Sequence, residues 1–200
     1  MRRSTPRRLY ELGLLALREL FDLGDHFEII TFGEKDLPDL GIPVKVRHAG
    51  ILDAEDLARL YRQCTVGLVL SGTNYSLVPN EMMACGLPVV DIDAEHTRVS
   101  YQPNTAVLAE GTPAGLASAL SRLLNDVSFR ENCARAGLAA TAHLNWDGSN
   151  KLIETFIQES LPARPVQPQP VKPSTPLVTV VIPVYNGGTM LKTVVEACLA

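Results

Sequence analysis

Nowhere is this chain apolar over the about 18 consecutive residues that a membrane-spanning helix needs, so no span is expected. The N-terminus is basic, but no apolar core follows it as in a secretory leader. The cytoplasm is therefore the expected compartment, with room for a peripheral place at the inner membrane face. The four cysteines, Cys64, Cys85, Cys133 and Cys198, form no C-x-x-C and share no zinc spacing with the histidines. They read as buried free thiols in a reducing environment. An excess of positive charge is also lacking: the net charge is −4, which excludes the basic face of a nucleic-acid binder. No G-x-G-x-x-G, phosphate-loop lysine motif, H-E-x-x-H or G-x-S-x-G occurs.

What is present is a globular composition, 46% apolar and 20% charged, in a chain of 200 residues. That length holds one domain, or one domain and part of another. Residues 1–160 alternate helical and strand-like patterns. Residues 161–176, LPARPVQPQPVKPSTP, are Pro-rich without apolar periodicity and read as an extended, semi-rigid linker. From Leu177 a new apolar run begins, LVTVVIPVYN, and 24 residues from there to Ala200 cannot complete a domain.

Within the first zone, 8–21 carries leucines near helical spacing, and FEIITF (27–32) is β-rich. A strand is expected over 44–46, with a loop over 48–52 and a helix capped by Asp53 running to about Cys64. VGLVL (66–70) is continuously apolar, as a strand buried on both faces should be, and PVVDI (88–92) reads as another buried strand. Residues 80–85 read as a helix ended by Gly86, and 113–124, 129–144 and 150–160 as further helices. This alternation implies an α/β fold, a Rossmann-like doubly wound parallel sheet. Ligands of such sheets bind at the carboxyl ends of the strands.

That rule directs attention to residues 70–91, LSGTNYSLVPNEMMACGLPVVD. A buried strand runs into small polar residues and then a helix, so several backbone N–H groups lie near a helix start, a setting that suits a phosphate. Glu81 falls in the first turn. Its carboxylate can accept from two vicinal hydroxyls, as a ribose presents them, or it can simply stabilise the helix start. Asp91, Asp93, Glu95 and His96 cluster after a strand end without metal-ligand spacing; they are site candidates or loop solvation. His48 reads as a loop or packing residue.

The string Glu81-Met82-Met83-Ala84-Cys85-Gly86-Leu87-Pro88-Val89 resembles the retaining family-4 (group 1) GT-B glycosyltransferases. Their motif is a Glu, seven residues, a second Glu, and Ala-Cys/Ser-Gly-x-Pro-Val. The resemblance implies a donor-nucleotide-sugar-binding C-terminal half of a two-domain enzyme. It gives Glu81 the ribose hydroxyls and the amides of Asn74, Tyr75, Ser76 and Leu77 the diphosphate. The family's first glutamate, which reaches the donor sugar, falls at Thr73, and both glycines flanking its aromatic residue are replaced. The whole string is similar to rhamnosyltransferase-like members, so a deoxysugar donor with fewer polar partners is implied. Arg3 and Arg8 have the spacing of the family's diphosphate-gripping Arg and Lys. HAGIL matches its base-packing loop, which places Gly50, Ile51 and Leu52 at the base. Trp146-Asp147 resembles the approach to the family's last helix, a structural role.

Residues 177–200 resemble the opening strand and helix of family-2 GT-A glycosyltransferases. The implied parent is a two-active-site enzyme of surface polysaccharide synthesis, using a nucleotide-diphosphate sugar and a glycan or lipid-linked acceptor. No cofactor is implied for 1–160; a divalent metal is implied only for a complete GT-A domain. Alone, this chain is expected to be inactive. Two other readings stay open: a degenerate, non-catalytic scaffold or sugar-binding module, and a GT-B-type sugar-nucleotide epimerase.

Overall fold

A computed structural model describes residues 8–36, 40–74 and 76–160. Residues up to Lys151 form one compact unit, and Leu152 onward belongs to a second. The elements are α1 (Tyr10–Asp22), β1 (Glu28–Thr31), β2 (Lys45–His48), α2 (Ala54–Gln63), β3 (Gly67–Leu68), α3 (Val78–Ala84), β4 (Val89–Ile92), α4 (Glu95–Ser100), β5 (Val107–Ala109), α5 (Pro113–Asn125), α6 (Val127–Thr141) and α7 (Trp146–Ser160).

Local chemistry accounts for most boundaries. Helix α1 buries Gly13, Ala16 and Leu20, the three- and four-residue spacing of one helical face. It stops where Gly24, at φ 86°, turns left-handed and donates to Phe21 O. Helix α2 begins as expected, with Asp53 Oδ1 accepting from Asp56 N at 2.8 Å. Thr112 and Asp126 cap α5 and α6 in the same way. Asn145 Oδ1 accepts from Gly148 N at 2.7 Å, so α7 opens at Trp146 instead of near residue 150.

All strand pairs are parallel, as predicted. The sheet is in two pieces, however: β1 pairs with β2, and β3-β4-β5 form a separate three-stranded sheet. Strand β4 is buried at every position, as its apolar run foretold. On one face α1 and α5 pack against β4 through Ala16, Leu20, Leu116 and Leu120. On the other, α2 and α3 bury Tyr61, Met82 and Met83 against Val69 and Val89. A third cluster, Ile29, Leu40 and Ile42, lies under β1 and β2 with Leu14 and Leu17 of α1.

Three further bounds need correction, and two elements are new. Strand β2 runs to His48, because Ala49 N still donates to Thr31 O at 2.9 Å, so the loop starts after His48. Helix α3 starts at Val78, two residues early, since the fixed φ of Pro79 suits a first turn. Helix α6 spans Val127–Thr141, opened by its Asp126 cap and closed before Leu144. Helix α4 and strand β5 were not foreseen. Residues 161–200, with the linker and the second apolar run, lie outside the described residues, as do Arg3 and Tyr75.

Candidate functional site

The loops that carry chemistry emerge at the carboxyl ends of parallel strands, the edge where α/β folds take ligands. After β2, Gly50 adopts φ 67°, a left-handed conformation that favours glycine, and no atom lies within 4 Å of where its Cβ would stand. Ile51 beside it is 75% exposed, an unusual position for so large an apolar side chain, while Leu52 is half-buried. His48 ties this loop to the one after β1. Its Nδ1 lies 2.8 Å from Thr31 Oγ1, and its Nε2 donates to Glu34 O at 3.2 Å. That is the packing role anticipated for it.

After β3, the chain turns at Ser71, which is fully buried. Two side chains from the next unit grip its backbone. Asp91 Oδ1 accepts from Ser71 N at 2.9 Å and from Ile92 N at 2.8 Å, and His96 Nε2 donates to Ser71 O at 2.6 Å. Tyr101 Oη completes the set by donating to Asp91 Oδ2 at 3.0 Å. Burial raises the Asp91 carboxyl above the usual carboxylate range, an effect opposed by these hydrogen bonds. Burial, then the Asp91 charge, raises the Tyr101 hydroxyl. Asp91 and His96 therefore brace the loop. Asp93 pairs with Arg98 on the surface, at 2.5 Å. The sequence signal for the brace was a carboxylate inside an otherwise apolar strand.

Beyond this anchor, Thr73 and Asn74 are exposed, and Thr73 Oγ1 donates to Asn74 Oδ1 at 3.2 Å. Ser76 is buried, its Oγ accepting from Val78 N at 3.4 Å, so that amide is occupied at the helix start. Leu77 is exposed at the cap of α3. Glu81 follows in the first turn, exposed, its carboxylate making no hydrogen bond or ion pair among the described residues. It stands close enough to Tyr61 of α2 to add to the effect of burial in raising that hydroxyl. Helix α3 then ends in a Schellman turn: Gly86, at φ 78°, donates to Met83 O, and Leu87 N donates to Met82 O at 3.0 Å. The Gly-x-Pro of the motif is thus a helix stop that aims the chain into β4.

Arg8 lies in the turn before α1, half-buried. It precedes Leu9, whose left-handed backbone, φ 48°, bends the chain into the helix. A hollow of about 320 Å³ lies between the α3 start and the end of α4, lined by Ser76, Asn80, Val99, Ser100 and Tyr101. Of the predicted site residues it takes in Ser76 alone. The larger cavity, about 610 Å³, holds none of them. Among the described residues no cluster of His, Cys, Asp or Glu could hold a metal ion, and no helix is long and apolar enough to cross a membrane.

This braced loop, the exposed glutamate and the Gly-x-Pro helix stop coincide with a known domain type: residues 1–121 match the family described as "WsaF, C-terminal domain". The chain belongs to that family. Similar proteins extend the picture. The O-antigen biosynthesis protein RfbC of Myxococcus xanthus is 38% identical over 148 residues, covering 72% of this chain and 11% of its own length. A D-inositol 3-phosphate glycosyltransferase of Thermomonospora curvata is 32% identical over 127 residues, 62% of this chain and 30% of the relative. Anabaena HepE, solved in complex with UDP and glucose, superposes with a TM-score of 0.55 at 17% identity, covering 74% of this chain and 52% of HepE. The chain thus spans less than half the length of the curated relatives it matches, from 11% to 41%, and its fold is that of a GT-B C-terminal half.

Proposed function

We propose that this WsaF-type domain binds a nucleoside-diphosphate sugar at the carboxyl edge of its sheet, within a glycosyltransferase that builds a surface glycan. The observation that carries the reading is Glu81: an exposed carboxylate, free of ion pairs among the described residues, beside a loop anchored at Ser71 by Asp91 and His96. A pre-anchored loop loses little freedom when a ligand orders it, which favours binding. Glu81 holds the ribose hydroxyls. Gly50, Ile51 and Leu52 meet the base, and exposed Ile51 gains burial there. The amides of Asn74, Tyr75, Ser76 and Leu77, with Arg3 and Arg8, stabilise the departing diphosphate. Thr73, where a glutamate would reach the sugar, fits a donor lacking a hydroxyl, such as a rhamnose nucleotide. HepE was solved with UDP and glucose, and RfbC is named for O-antigen biosynthesis; both support the reading by likeness.

The rest of the assignment follows the same line. Residues 1–160 form the donor domain, 161–176 a linker and 177–200 the start of a GT-A domain. The acceptor is a glycan or lipid-linked glycan, held by the other half of the enzyme in the cytoplasm. Thr73, Asn74 and Ser76 at the altered motif positions favour a second reading, a degenerate scaffold that binds no nucleotide.

Calorimetric titration of the full chain with UDP, dTDP and GDP separates the two. One nucleotide should bind, and Glu81→Ala should weaken it by about 1.5 kcal/mol or more, the loss of a hydrogen bond to a charged group. Binding unchanged by the substitution would remove Glu81 from the site. No binding of any of the three would favour the scaffold.

A further inference from the structure

The start of α3 has two sides. On one, Glu81 stands beside Tyr61 of α2. On the other, towards α4, lies the hollow of about 320 Å³, with Ser76 and Asn80 on one wall and Val99, Ser100 and Tyr101 on the other. Its volume is at the small end of the roughly 300–1,000 Å³ of small-molecule sites, room for a single sugar ring.

The lining sets the chemistry. None of the five side chains carries a charge at neutral pH, so nothing there neutralises a phosphate, a carboxylate or an amine, and burying one would be costly. Hydrogen-bonding capacity is left over, however. The half-buried Asn80 carboxamide makes no hydrogen bond among the described residues. Ser76 is buried; its Oγ accepts from Val78 N, and its proton has no acceptor among the described residues. Ser100 Oγ donates to His96 O at 2.6 Å and keeps its lone pairs. The hollow therefore offers both donors and acceptors, as hydroxyl groups require.

Two apolar surfaces complete it. Val99 is 81% exposed, and the half-buried Tyr101 ring is held by its hydroxyl, which donates to Asp91 at 3.0 Å. A wall fixed before the ligand arrives costs little to order. A neutral pyranose matches this set, with hydroxyls at its rim for Ser76, Asn80 and Ser100 and a C–H face for Tyr101 and Val99.

We propose that this hollow is a carbohydrate subsite, which binds one neutral pyranose unit of a glycan chain. It lies on the far side of the α3 start from Tyr61 and Glu81, so its occupant is a sugar separate from that of a nucleotide sugar. The proposal does not rest on the nucleotide reading and holds equally for a domain that binds no nucleotide.

Amide NMR of the full chain, titrated with methyl α-D-glucoside and methyl α-L-rhamnoside, tests it. At least one of them should shift the signals of residues 76, 80 and 99–101 saturably at millimolar concentration. Inorganic phosphate and glucuronate, which are charged, should not. Asn80→Leu should weaken the affinity about tenfold, the loss of one or two hydrogen bonds. Val99→Ser, at a position exposed enough to spare the fold, should weaken it about threefold. Saturating UDP should leave it unchanged, and failure of UDP to bind would sink the nucleotide reading alone. No shift with either glycoside, or shifts at 50–52 and 81 only, overturns the proposal. So does unweakened binding in both variants at an unaltered urea midpoint. Displacement of the glycoside by UDP-glucose but not by UDP overturns it too, because the hollow would then hold the donor's own sugar.

Discussion

A carboxylate in a strand buried on both faces is costly unless its oxygens are satisfied. Asp91 is kept there by three donors: Ser71 N, Ile92 N and the Tyr101 hydroxyl. Asp91→Ala leaves all three facing apolar surroundings and should lower unfolding free energy by about 3 kcal/mol in urea titration. Asp91→Asn keeps an acceptor for the two amides and should cost far less. The pair also differs with pH. Because the folded Asp91 is raised above its unfolded value, the folded state binds more protons between those two values. Stability therefore falls as pH rises through that window and is flat above it. In acid, the wild type should gain stability relative to Asp91→Asn as pH drops towards the ordinary carboxylate value. A difference independent of pH would mean that Asp91 is not raised.

The element that matters most to the proposed site is α3, which is short and held by its ends and neighbours. A Cβ on Gly137 of α6 would stand 3.0 Å from Met83 Cγ, so the absence of a side chain there lets α6 seat α3 closely. The Schellman turn at Gly86 sets where α3 stops and β4 begins. Leu138 is 3.6 Å from a Cβ built on Gly86, ordinary contact, so crowding does not decide the outcome of a substitution there. The backbone does: alanine at φ 78° costs about 1–2 kcal/mol. Gly86→Ala should lower the urea midpoint accordingly without changing the m-value. A cost near zero would show that the turn relaxes, and the motif glycine would then need another explanation.

At the scale of the whole chain, the parts legible in the sequence are those written in local pattern. The run VVDI announced β4, Asp53 announced α2, and the Gly-x-Pro announced the end of α3. Helix α4 and strand β5 escaped because each is short and polar-flanked, six and three residues, with no apolar period to read. The loop proposed for the site stands where the sequence put it, after a buried strand. Its brace was not, because Asp91 and Ser71 are twenty residues apart and meet only through strand pairing. Composition also argues for a boundary after residue 160, and proteolysis tests it. Sixteen residues with six prolines and no apolar period have no means of building a core, which is the composition of a linker. Subtilisin should convert the full chain to a stable fragment ending within 161–176, identified by intact mass. Trypsin should leave that segment whole, because Arg164 and Lys172, its two basic residues, both precede proline. Subtilisin cleavage spread evenly over 1–160 would instead mean that the proposed donor domain does not stand as a unit.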